Sequence, residues 1–94
     1  MAFFVYILAS KRNGTLYIGS TDNLTNRIRQ HREHERRGFT DTYDVTMLVW
    51  YAVFDTRAGA FRRERQMKKW NRLWKIRLIE RTNPGWRDLY DDLF

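Results

Sequence analysis

The sequence predicts one α/β domain: a small three-stranded antiparallel sheet flanked by helices, in the order β-β-α-β-α-α. Three observations predict it. Two apolar runs, Phe3 to Ala9 and Leu16 to Ser20, flank Asn13-Gly14, residues that tolerate positive φ and close hairpins. A third run, Val45 to Phe54, is rich in β-branched and aromatic residues and reads as a long or central strand. Around it lie two basic segments whose apolar residues recur at helical spacing.

The first two strands form the hairpin. Side chains alternate faces along a strand, so loop length decides which residues meet. A two-residue loop pairs residue 12 with 15 and residue 10 with Tyr17; a four-residue loop, Lys11 to Gly14, pairs Leu8 with Tyr17. Both loops are even, so Tyr6 and Tyr17 share a face in either register. The four-residue loop makes them diagonal neighbours about 7–8 Å apart at Cβ.

Thr21-Asp22-Asn23 offers N-cap chemistry for a first helix running to about Arg36 and ending at Gly38. Phe39 to Asp44 reads as loop. After the third strand, Asp55-Thr56 can cap a second helical segment from Arg57 to about Arg81, with a break near Asn71. Asn83-Pro84-Gly85 is a stop, and Trp86 to Phe94 reads as a short terminal helix packing through Trp86, Leu89, Tyr90 and Leu93.

Composition narrows the function classes. Ninety-four residues make a single domain, 1–94, and 43% hydrophobic with 16% aromatic content argues against disorder. No apolar run of about 18 residues and no signal-peptide pattern occurs, which predicts a soluble cytoplasmic protein without a membrane partner. Zero cysteines exclude disulfides, zinc–thiolate sites and cysteine nucleophiles. The net charge is +7 and the pI ≈ 10.2. Between residues 57 and 81 stand Arg57, Arg62, Arg63, Arg65, Lys68, Lys69, Arg72, Lys75, Arg77 and Arg81, against only Glu64 and Glu80. Clustered basic charge in one domain points to a polyanion, nucleic acid first.

Polar residues stand where apolar ones belong. From Leu24 the inward face of the first helix continues through Arg27, Ile28 and His31, whereas Arg29, Arg32, Glu33 and Arg36 point mostly outward and His34 is surface. In the second segment the apolar stripe is Ala60, Phe61, Met67, Trp70 and Trp74, and Glu64 falls on it. A carboxylate there is either half of a buried salt bridge, to Arg27 or another base, or a metal ligand. One carboxylate with waters and substrate phosphate is a usual way to hold Mg²⁺. Too few acids converge for a two-metal site, two histidines without cysteine are too few for zinc, and no serine elbow occurs.

These residues resemble the GIY-YIG endonuclease superfamily, most closely its small stand-alone bacterial members, over nearly the whole chain. Tyr6 matches the tyrosine of the first motif, and Tyr17-Ile18-Gly19 is the second motif intact. Arg27 and His31 match the helix that follows, and Glu64 matches the metal-binding glutamate. Asn83-Pro84-Gly85-Trp86-Arg87-Asp88-Leu89 also looks like the stand-alone members. The chain departs where the first motif's glycine is replaced by Phe4, and either Asn71 or Asn83 stands for the asparagine that often completes the site. The resemblance implies one-metal phosphodiester hydrolysis with Mg²⁺ or Mn²⁺. Tyr6, or a water it orients, would help deprotonate the attacking water, and Arg27 nearby would favour the phenolate. Tyr17 and His31 would assist proton transfer and position the phosphate. Arg27 would stabilise negative charge on phosphorus, and Glu64 would hold the metal.

The leading expectation is therefore a structure-selective or weakly specific endonuclease acting on DNA ahead of RNA. The alternative is a nucleic-acid-binding module with little or no catalysis. Arg29, Lys68, Lys69, Arg72 and Lys75 are phosphate-contact candidates in both cases. Trp70 and Trp74 could pack in the core or stack on bases. Glu64 discriminates the two, because a pure binder has no use for an inward carboxylate beside a phosphate.

Overall fold

The computed structural model describes residues 1–34 and 38–94, with only the backbone of residues 39 and 41. Strands β1 (Phe3–Ala9), β2 (Leu16–Thr21) and β3 (Met47–Phe54) form one antiparallel sheet in the order β2-β1-β3. The helices are α1 (Leu24–Arg32), α2 (Phe39–Tyr43), α3 (Arg57–Lys68) and α4 (Arg72–Thr82), followed by a 3₁₀ turn at Tyr90–Leu93. The predicted β-β-α-β-α-α order is present, with α2 as an addition.

The four-residue hairpin is the one that forms: Leu8 pairs with Tyr17, and the Ser10 amide donates to the Thr15 carbonyl. Asn13 takes the left-handed conformation, φ 57°, that the turn requires. β1 is the central strand, and β3, though the longest, lies at the edge. A central strand covered on both faces needs no polar alternation, and Val5 to Ala9 are all buried. Val5, Ile7 and Ala9 point to α3 and α4, where Ile18, Val49, Met67, Ile79 and Trp86 complete a core. Tyr6 and Leu8 point the other way, into Leu24 and Ile28 of α1 with Val45 and Leu48. A bulge keeps both cores filled: Ile7 pairs with Trp50 and Leu8 with Leu48, leaving Val49 as the extra residue.

Four expectations are corrected. Helix α1 stops at Arg32, not near Arg36, because His34 adopts φ 57° and breaks the helical backbone. The predicted helical residues 35 and 36 lie outside the described residues. The expected loop at Phe39 to Asp44 contains α2. The expected terminal helix is reduced to one 3₁₀ turn, although Trp86 is buried and Leu89, Tyr90 and Leu93 pack on the second core as expected. Finally, the inward stripe of α3 is Ala60, Glu64 and Met67, while Phe61 and Trp74 are exposed. The break expected near Asn71 is real: its side chain accepts from the Trp74 amide and caps α4.

Candidate active site

Strand parity and one glycine assemble the first half of the site. Tyr6 pairs directly with Gly19 and sits diagonally from Tyr17. The two rings lie with centroids 6.4 Å apart. A Cβ on Gly19 would stand 2.5 Å from the Tyr6 hydroxyl oxygen and 2.6 Å from Cζ, so only glycine lets the phenol lie across β2. Phe4, two residues before Tyr6, fits as an ordinary strand residue, paired with Thr21 and Val53 and half-buried beside the Tyr6 core.

Helix α1 brings His31 to the pair. Asn23 caps it, accepting from the Asn26 amide, and Leu24, Ile28 and His31 form its buried face. The imidazole lies 6.1 Å from the Tyr6 ring and 5.6 Å from the Tyr17 ring, centroid to centroid. Its Nε2 is 3.3 Å from the Tyr6 hydroxyl and its Nδ1 is 2.9 Å from Thr40 Oγ1. Neutral imidazole has one donor and one acceptor nitrogen, and each hydroxyl can play either part. Both tautomers are thus satisfied, and a proton can cross the ring without its turning. Sequence reasoning missed Thr40; no spacing signal marks it, because it reaches His31 only through α2. Arg27, one helical turn before His31, is half-buried and makes no ion pair among the described residues.

Glu64 approaches from the opposite side of the sheet. Ser20, on the α3 face of β2, donates its hydroxyl to Glu64 Oε1 at 2.5 Å, and Lys68 Nζ is 2.6 Å from Oε2. Parity could have identified Ser20, the neighbour of Gly19 with the opposite orientation. A carboxylate only 8% exposed needs such partners. The cation is Lys68 rather than Arg27. Its side chain is half exposed, so this i,i+4 pair is worth only about 0.3–0.5 kcal/mol and is readily exchanged.

The two halves meet at the free edge of β2. A shallow groove of about 280 Å³ there is lined by Leu16, Tyr17, Ile18, Lys68 and Lys75. Tyr17 faces it from the tyrosine–histidine side, and Lys68, holding Glu64, from the α3 side. The other nucleic-acid candidates lie elsewhere. Arg29 is bonded to Asn26 and Glu33, Arg72 pins the hairpin turn through the Asn13 and Gly14 carbonyls, and Lys69 lines a groove on α3. Asn83 is a buried latch whose Nδ2 donates to the Val49 and Arg87 carbonyls and whose Oδ1 accepts from the Arg87 amide.

The family described as the GIY-YIG catalytic domain matches residues 2–77. The chain belongs to the GIY-YIG family. A UPF0213 protein of Staphylococcus haemolyticus is 35% identical over 77 residues, 82% of this chain and 93% of that one. One from Haloquadratum walsbyi is 34% identical over 77 residues, 82% of this chain and 85% of that one. The solution structure of a UPF0213 protein from Bacillus halodurans superposes with a TM-score of 0.58 at 26% identity, covering 94% of this chain and 93% of that one. GIY-YIG membership places the chain in a nuclease family. In the GIY-YIG frame, the Gly19–Tyr6 contact gives a physical reason for the glycine of the second motif. No helix among the described residues is long and apolar enough to cross a membrane.

Proposed function

We propose that this GIY-YIG domain is a divalent-metal-dependent endonuclease that hydrolyses phosphodiester bonds in DNA, with little sequence specificity, at the edge of β2. The observation that carries the reading is the groove lined by Tyr17 and by Lys68, whose ammonium pairs with Glu64 behind it. It offers a phenol and the Lys68 and Lys75 ammonium groups along one strand edge, where a phosphate backbone can lie, with the carboxylate one ion pair away.

The donor set at Glu64 fits a hard cation. Among the described residues no three His, Cys, Asp or Glu side chains converge to hold a metal. The ion would take one carboxylate oxygen here and fill its shell with water and phosphate oxygens, as Mg²⁺ and Mn²⁺ do. When bound it would neutralise charge building on the phosphate and leaving oxygen. Lys68 keeps the buried carboxylate paired.

Hydrolysis forms a bond from water oxygen to phosphorus, breaks one ester bond and leaves a proton on the departing oxygen. Tyr6 is fully buried with its hydroxyl on His31, so it reaches no bulk water. Contact with the attacking water therefore falls to Tyr17, which lines the groove, and Tyr6 acts through His31, which Thr40 holds from behind. Arg27, without an ion pair among the described residues, is available to a phosphate.

The test is incubation with end-labelled single-stranded, nicked, branched and duplex DNA and RNA in Mg²⁺, Mn²⁺ or EDTA. The reading expects metal-dependent cleavage of a DNA that Tyr17→Phe reduces by roughly a hundredfold or more, about a hundredfold being the lower end of what a proton-transfer group contributes. Binding without cleavage in any metal would give the case to a non-catalytic binding module.

A further inference from the structure

The outer surface of α3 and the first turn of α4 carry aromatic rings that the core does not use. Phe61 and Trp74 are 51% and 52% exposed. Trp70 packs partly on the core and meets Trp74 edge-on at 6.2 Å, holding it upright at the corner between the helices. These rings line a groove of about 660 Å³ together with Arg62, Arg65 and Lys69. Arg65 lies over the Phe61 ring at 5.6 Å and Arg63 over Trp70 at 4.9 Å. On the far side of the two tryptophans a second groove adds Arg77 and Arg81. Among the described residues no acidic side chain lines either groove, and the two acids of this segment are held elsewhere, Glu64 by Ser20 and Lys68 and Glu80 by the Trp86 indole.

We propose that this groove is a binding site for unpaired nucleotides, with bases stacking on Phe61 and Trp74 and phosphates meeting Arg62, Arg65 and Lys69. Cations alone would suit any polyanion, but exposed rings between them select a ligand with both flat faces and negative charge. Duplex DNA keeps its bases stacked inside, so the rings cannot reach them. An acidic peptide brings charge without the flat faces. The groove also leads somewhere: Phe61 and Ala58 continue into a hollow with Ser20, whose hydroxyl holds Glu64. A strand seated on α3 therefore runs toward the carboxylate side of the β2 edge. The site concerns binding and does not rest on the chain's being able to cleave.

The experiment is fluorescence titration in EDTA, where no metal-dependent cleavage occurs, of a labelled single strand, a blunt duplex of the same length and labelled poly-glutamate. Wild type is compared with the double variant Phe61→Ala, Trp74→Ala. Single-strand affinity should fall at least about tenfold, since each stacked base is worth severalfold or more, while duplex affinity stays within about twofold. Both rings are half exposed, so the melting temperature should hold. Should it drop, Arg62→Glu with Lys69→Glu tests the phosphate side without touching the rings, and it must weaken single-strand binding too. Equal losses for single strand and duplex, or none, would overturn the site. So would poly-glutamate bound as tightly as the single strand, or a wild-type dimer that the ring variant turns into a monomer.

Discussion

Gly19 shows how one absent side chain organises a site. The Tyr6 phenol lies where its Cβ would be, so Gly19→Ala must push the ring, Tyr17 or β2 aside. We expect about 1–3 kcal/mol of destabilisation in urea unfolding, the usual cost of overpacking, together with loss of cleavage. The Tyr6–His31–Thr40 chain makes a separate prediction. Thr40→Val keeps the shape and removes the hydroxyl that meets Nδ1 in a buried place. Folding should weaken by about 1 kcal/mol, and the pH dependence of cleavage should move because His31 loses its fixed partner; an unchanged pH profile would remove His31 from proton transfer. The shared face of Tyr6 and Tyr17 was legible from strand parity, since both even loops keep them on one side of the sheet. Thr40 was not, because its contact with His31 depends on how the chain returns after α1.

At the scale of elements, capping and turn chemistry were read well and helix length was not. Asn23 and Thr56 cap α1 and α3 through their side chains, as their N-cap chemistry indicates, and Asn71, legible only as a break, caps α4. The end of α1 was misread because polar helix formers continue past Arg32, and propensity alone did not mark His34 as left-handed. Phe61 and Trp74 were misplaced because periodicity identifies a face but not whether anything covers it. The two asparagines differ in what they hold. Asn71→Ala removes an exposed cap and should cost about 0.5–2 kcal/mol. Asn83→Ala strips partners from the Val49 and Arg87 carbonyls and the Arg87 amide, at about 1–3 kcal/mol for each buried group left unpaired. Denaturant midpoints should therefore fall further for Asn83→Ala; the reverse order would contradict the latch described for Asn83.

Across the whole molecule, the candidate site straddles an edge strand instead of filling a cavity. Phenols and imidazole come from one face of the sheet and the carboxylate from the other. The sequence order of Tyr6, Tyr17, Arg27, His31 and Glu64 supplied the candidates. The placement of Glu64 across β2, through Ser20, needed the fold. Charge acts at this scale too. With a net charge of +7 and basic residues on α3, α4 and the β2 edge, nucleic-acid affinity should fall linearly in log–log terms as salt rises, each released phosphate counterion adding about 0.9 to the slope on duplex DNA. A salt-insensitive affinity would point to a different class of partner.

The central claim is that Glu64 serves a metal-dependent reaction rather than the fold, and Glu64→Gln tests it most directly. The amide retains the size and can still accept from Ser20, and the Lys68 pair that it loses is half exposed. Stability should therefore change by no more than about 1 kcal/mol. Cleavage in Mg²⁺ or Mn²⁺ should drop by at least about a hundredfold, since metal stabilisation of transition-state charge is worth several kcal/mol. Measured on one preparation, a variant that melts like wild type, binds nucleic acid as well or better, and no longer cuts is the predicted result. A variant that melts early, or that cuts at the wild-type rate, would contradict it.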